Sequence, residues 1–350
     1  MKKIGLMRWL MAGAALLALA PAAANAQSAD MFKGKTLHIS VGYGPGGGYD
    51  LYTRILAKHI VKYLPGNPNY VVENVPGAGS AKLATYINDV APKDGTEFGL
   101  INSTIAFVPL FGTAGGDASV KFDPRKLTWL GSLDQFTPIG ISWGTTGVKS
   151  LEDIKQKEFI VGSTGGDDAG EVYCSLMNTM LGTKFKILAG YKGSNDIALA
   201  MERGEVPGFV GWYWAGLNAF KPDWVPSGKV NTFLQLGLDK DPTMPESVPW
   251  ILDPKVLPKE RDRQVFKLVL SQLALARPFI APPGLPAATT KVLREAFNKT
   301  AQDKDFVSEL ETAKQTIRLY TGEQIDALLK EVYATPPDLV AEVKKAMQRE

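Results

Sequence analysis

The feature that most constrains this chain is a pair of glycine-rich turns, each set between a strand-like and a helix-like segment. They are Gly42-Tyr43-Gly44-Pro45-Gly46-Gly47-Gly48-Tyr49-Asp50 and Asn74-Val75-Pro76-Gly77-Ala78-Gly79-Ser80. Before the first, residues 36–43 alternate and are rich in β-formers. After it, Tyr52, Ile55, Leu56, His59 and Tyr63 recur at helical spacing. The pattern repeats as a strand over 70–74, the second turn, a helix over about 81–90 and a strand over 97–102. Repeated βα units predict a largely parallel sheet covered by helices, with ligands at the carboxyl ends of the strands. Helix N-termini present unpaired N–H groups and partial positive charge, and glycine lets an anion approach that backbone closely. Two such turns predict a cradle for a small anion built from backbone.

Residues 1–26 read as a signal peptide. Lys2, Lys3 and Arg8 form a basic start, an apolar run spans 9–20, and Ala24-Asn25-Ala26 is a small-x-small cleavage site. The apolar run is short for a membrane span. The expected location is the periplasm, with cleavage after Ala26. The chain carries 39 basic and 36 acidic residues, but three of the basic ones lie in the leader, so the mature part is balanced at 36 each. Nothing in that balance points to nucleic acid or an anionic membrane. About 324 mature residues suit two lobes rather than one core.

A long extended stretch over 129–143 is read as the first crossing between lobes, and 243–249 as the place of the return. A second βα series lies between them. A strand at 159–162 precedes the turn 163–170 and a helix holding Cys174; a strand at 185–189 precedes the turn 191–195 and a helix over 196–203. Residues 208–214 read as another strand. Beyond, 273–281 reads as an apolar strand, followed by helices at about 287–302, 305–313 and 323–333. A last helix, 337–349, reads as polar enough to be a surface appendage. The stripe Arg54, Lys58, Lys62 reads as a solvated face.

Catalytic parts are missing. Cys174 is the only cysteine and reads as a buried inert thiol, which also excludes an internal disulfide. The two histidines, His38 and His59, sit in a strand and a helix with no ligand cluster, so no metal site is expected. Gly42-x-Gly44-x-x-Gly47 matches a dinucleotide fingerprint only in outline, because Pro45 interrupts the turn and no acidic strand end follows at the right distance. There is no phosphate loop, no nucleophile elbow and no recognisable carboxylate pair. Neither an enzyme nor a bound cofactor is expected.

Several of these segments resemble the Bug family, the periplasmic solute receptors of tripartite tricarboxylate transporters. Tyr43-Gly44-Pro45-Gly46-Gly47-Gly48-Tyr49-Asp50 resembles the family's first loop and Asn74-x-x-Gly77-Ala78-Gly79 its second. Ala91-Pro92-Lys93-Asp94-Gly95-Thr96, Gly190-Tyr191-Lys192-Gly193 and Ala281-Pro282-Pro283-Gly284-Leu285-Pro286 resemble three further family segments in the right order. The resemblance implies an α/β type II periplasmic-binding fold: two α/β lobes, joined by two crossover segments, that close on a small carboxylate. The lobes would be 34–132 with 255–350, and 133–254. It implies a ligand grip from Tyr43, Gly44, Pro45, Gly46, Gly47 and Gly48, joined by Gly77, Ala78, Gly79 and Ser80. Asn102, Ser103 and Thr104 would complete that lobe. The other lobe would offer Ser163, Thr164, Gly165, Asp168 and Ala169, with Tyr191, Lys192 and Gly193.

The segment 208–214 departs from the family pattern, with Trp212-Tyr213-Trp214 where relatives often carry an aspartate. Trp212 either stacks on a ligand or packs in the core. Lys192 either meets a distal carboxylate or reaches solvent, and Asp168 is either a contact or a helix cap. The implied partner is a membrane permease, the alternative a sensor kinase, and a monomer is the default. An extracytoplasmic enzyme acting on a small acid is the remaining rival.

Overall fold

The computed structural model describes residues 30–111, 121–163, 169–191 and 193–348. The leader lies outside them, as do Thr164, Gly165, Asp168 and Lys192. The first sheet contains β1 (Thr36–Val41), β2 (Asn69–Asn74), β3 (Glu97–Leu100) and β4 (Thr128–Ser132). The second contains β5 (Pro138–Trp143), β6 (Phe159–Ser163), β7 (Phe185–Ala189), β8 (Gly208–Tyr213) and β9 (Val230–Gln235). The chain then returns to the first sheet with β10 (Pro278–Ala281) and β11 (Tyr320–Thr321). The spatial orders are β11-β4-β10-β3-β1-β2 and β7-β6-β8-β5-β9. β1 is parallel to β2 and β3, and β6 to β7 and β8. Both sheets are nonetheless mixed: β10 runs antiparallel between β3 and β4, and β5 antiparallel between β8 and β9.

The helices that matter for the site are α1 (Gly48–Ile60), α2 (Ala81–Asp89) and α3 (Ala169–Leu181). They follow β1, β2 and β6, as the alternation of the sequence requires. Tyr52, Ile55, Leu56, His59 and Ile60 on α1 are buried, so its apolar face covers the first sheet. Phe98, Phe279 and Phe297 fill the same core at 0–1% exposure, each contributing about 1.5–3 kcal/mol relative to exposure. Cys174 is buried in α3.

Two expectations are corrected and one helix is added. Residues 273–281 are not one strand: 271–275 form a 3-10 turn and only β10 is extended. An unanticipated helix, α4 (Glu260–Leu270), precedes them with Val265, Phe266 and Leu270 at 0% exposure. The last helix, α8 (Pro337–Gln348), is no appendage. Its Leu339 and Val343 are 2% and 0% exposed in the core, and Arg261 of α4 pairs with its Asp338 and Glu342. It follows α5 (Ala287–Ala301), α6 (Lys304–Thr312) and α7 (Gly322–Tyr333), close to their predicted places. The basic stripe of α1 does lie on an exposed face, where Lys58 also meets Glu309 and Lys62 meets Asp303.

The segment 243–249 stays with the second sheet, because Gln235 N donates to Pro249 O and Ile251 N to Gln235 O. The segments joining the sheets run side by side. Leu133 N donates to Arg277 O, Ala276 N to Asp134 O and Phe136 N to Leu273 O. Asp134 lies between them, and burial pushes its carboxyl up to about 6 despite hydrogen bonds from Thr316 Oγ1 (2.8 Å) and Gln135 N (2.9 Å). The native state therefore holds this proton more tightly than the unfolded chain between pH ~4 and ~6. Stability from this group is present at the acid end and is lost as pH rises through about 6, by on the order of 2–3 kcal/mol. Urea midpoints of the wild type and Asp134→Asn across pH 4–7 are expected to diverge in the variant's favour as pH rises. Parallel curves would mean that Asp134 is ionised and solvated.

Candidate functional site

The two glycine turns leave the carboxyl ends of β1 and β2 and lie against each other. A Cβ on Gly42 would sit 2.3 Å from Ser80 Cβ and 3.3 Å from Leu100 O, so no larger residue fits where the turns cross. The first turn is held from behind by Asp50. Its carboxylate accepts from Gly46 N (2.9 Å), Asn74 Nδ2 (2.9 Å) and, through both oxygens, from Arg54. Burial alone would raise the Asp50 carboxyl, but the bonds from Arg54, Gly46 and Asn74 hold it below the usual carboxylate range. Asn74 Nδ2 also reaches Tyr43 O (2.9 Å), which ties the end of β2 to the first turn. Gly44, Pro45, Gly46 and Gly47 remain exposed, and the N-cap residue Gly47 has no side-chain cap to satisfy α1.

The second turn is an unusual run. Gly77, Ala78, Gly79 and Ser80 all have positive φ, at 147°, 46°, 58° and 73°. Two of the four are not glycine, and each such residue costs about 1–2 kcal/mol in this conformation. Residues 77–79 are exposed while Ser80 is fully buried, its Oγ accepting from Asn102 N at 2.7 Å. Asn102 Nδ2 donates to Tyr43 Oη (2.5 Å), and its Oδ1 accepts from Thr104 N. Residues 43–48, 77–79 and 102–104 are thus connected, with Ser80 buried beneath them.

On the second sheet, Ser163 ends β6 and is buried, its hydroxyl hydrogen-bonded to Glu171. Tyr191 N donates to Ser163 O (3.2 Å), which brings Tyr191 beside it, while Ala169 is exposed at the start of α3. Trp212 is not on a free surface. It is 5% exposed, in a core with Phe209 and Trp224 at ring distances of 5.7 and 6.1 Å. Alternation along β8 sends Tyr213 to the opposite face, where it stacks on Phe136 at 4.4 Å.

The residue that sequence reasoning missed is Arg277. Its guanidinium carbon lies 4.7 Å from the ring centre of Tyr49, 5.0 Å from Tyr52 and 5.2 Å from Phe136. Burial pushes the Tyr49 hydroxyl up to about 12, against the pull of Arg277. The available signal was a lone charge in the apolar run 273–281. A separate concavity of about 550 Å³ near Arg125, Arg294 and Tyr333 lies away from both turns. Arg125 and Arg294 there are already paired, with Asp123 and Asp326.

This architecture matches solved structures over nearly its whole length. A TctC solute binding protein from Polaromonas covers 88% of this chain and 98% of its own, at 20% identity and a TM-score of 0.69. The chain has the fold of the TctC and Bug binding proteins. The periplasmic binding protein BugD matches at 19% identity and TM-score 0.51, over 89% of this chain and 97% of its own. An R. palustris protein solved with adipate matches at 16% identity and TM-score 0.53, over 89% and 97%. By sequence, a "UPF0065 protein in gbd 5'region" of Cupriavidus necator is 34% identical over 115 residues, 33% of this chain. That match spans about a third of the relative's length (32%). No family model matches the chain.

Proposed function

We propose that this chain is a periplasmic receptor that captures a small organic carboxylate and delivers it to a membrane permease. Its lobes would be 34–132 with 255–350, and 133–254, closing about the paired connecting segments. The ligand would stabilise a closed state that the permease reads, the receptor acting as a monomer without a covalent step. The observation that carries this reading is the uncapped start of α1 beside the exposed turn 77–79, both at strand carboxyl ends. Backbone N–H groups so placed attract an anion. The R. palustris protein solved with adipate supports a carboxylate as that anion.

Gly47 provides the test. A Cβ there meets nothing within 4 Å, and the residue has φ −87°, so a side chain fits the fold and enters only the proposed grip. Gly47→Leu is expected to leave folding stability within about 0.5 kcal/mol and to weaken carboxylate binding at least ~10-fold, a loss of about 1.4 kcal/mol. A thermal-shift screen against aliphatic and aromatic acids identifies the ligand, and calorimetry compares the variant. Equal affinities would remove the first turn from the site.

A further inference from the structure

We propose that Arg277 is the specificity-determining side chain of this site, taking an acidic group of the ligand in its guanidinium fork beside the start of α1. The inference rests on the receptor reading above and deepens it.

Four observations carry it. First, the described residues include Arg54, Arg125, Arg203, Arg261, Arg263, Arg294 and Arg318, and each lies within 4.0 Å of an acidic side chain. Arg277 alone among the described arginines has no such pair. Its Nη1 donates to Ala276 O (2.8 Å), and its buried Nε has no partner. Second, Asp134 feels the Arg277 charge but makes no ion pair with it, its carboxylate being hydrogen-bonded by Thr316 and Gln135. Third, the guanidinium stands next to a helix start of the same sign. Nη2 is 3.3 Å from where a Cβ on Gly48 would be, and Gly48 opens α1. The acid in the first turn of α1, Asp50, is committed to Gly46 N, Arg54 and Asn74, so a further anion between Arg277 and the helix start would be favourable. Fourth, the position is prepared. Arg277 N donates to Ser132 Oγ (3.0 Å), its carbonyl accepts from Leu133 N, and Tyr49, Tyr52 and Phe136 wall its planar head. A guanidinium held in that way matches a carboxylate bidentately, which a lysine ammonium does not.

The test is calorimetric titration of the refolded, ligand-free protein with adipate, succinate and benzoate. It is run on the wild type, Arg277→Met, Arg277→Lys and Gly48→Ala. For any acid that the wild type binds, Arg277→Met is expected to lose about 100-fold or more in affinity and Arg277→Lys to recover part of it. Gly48→Ala places a methyl group against the fork. It is expected to weaken binding about 10-fold while the melting temperature holds or rises, because alanine favours helix. If Arg277→Met does not fold, Arg277→Lys and Gly48→Ala decide the matter. Unchanged affinity in the folded variants overturns the role of Arg277 and leaves the receptor reading standing. Adipamide binding as tightly as adipate overturns it as well. A wild type that binds none of the three acids overturns the receptor reading for them and this inference with it.

Discussion

Asp241→Ala is expected to lower folding stability by about 3–5 kcal/mol, because it would leave Arg318 without its acid in a nearly closed site. Arg318 Nη1 lies 2.8 Å from Asp241 Oδ2, with the side chains 15% and 7% exposed. Thr137 Oγ1 donates to the same oxygen (2.9 Å) and accepts from Arg318 Nη1 (2.6 Å). Asp241 Oδ1 takes both the N–H and the hydroxyl of Thr243, and Asp241 N donates to Gln235 Oε1. The network joins the first connecting segment, the end of the second sheet and the approach to β11. Breaking a buried pair from one side exposes an uncompensated charge, whereas removing both charges is often neutral. The double variant Asp241→Leu/Arg318→Leu should therefore recover much of the loss in urea unfolding. A single-variant loss below about 1 kcal/mol would show that water already screens the pair.

Trp212→Ala is expected to cost a similar ~3–5 kcal/mol through the cavity it leaves. The indole is 5% exposed and packs against Phe209, Phe220 and Trp224. Its neighbour Tyr213 is 37% exposed and stacks on Phe136. Tyr213→Ala should lose no more than about 1.5 kcal/mol, the scale of one aromatic pair. The two variants separate stability from ligand contact. Chemical denaturation should single out Trp212, and the affinity of the folded proteins should respond to Tyr213. A stable Trp212→Ala with weakened binding would return Trp212 to the ligand surface.

Local patterns carried much of this fold in the sequence. The helix after Gly48 is legible because Tyr52, Ile55, Leu56 and His59 recur at its period and are buried together. The glycine turns are legible because few residues tolerate the backbone that 77–80 adopts. Helix α4 was missed. Its charged residues Glu260, Arg261, Asp262 and Arg263 hide a start whose apolar face is covered largely by the distant α8. The same pairing explains why α8 read as surface: its polar residues meet Arg261 across the fold.

The site divides along the same line. Backbone features follow local sequence, since glycine content and strand-to-helix order already placed two open turns at strand carboxyl ends. Side-chain features did not follow. Asp50 lies in the first turn of α1, yet its carboxylate is committed to Gly46, Asn74 and Arg54. Trp212 and Tyr213 are adjacent, and only the alternation of β8 puts one in the core and the other beside Phe136. Arg277 shows the limit most plainly. Its sequence neighbours mark it as an oddity in an apolar run, while its chemistry comes from Tyr49, Tyr52 and Phe136, more than a hundred positions away. Periodicity and turn chemistry act over a few residues, so sequence by itself determined the βα order and the two glycine turns. Charge pairing and burial act through space, so only the tertiary structure decided which of the described arginines was left without an acid.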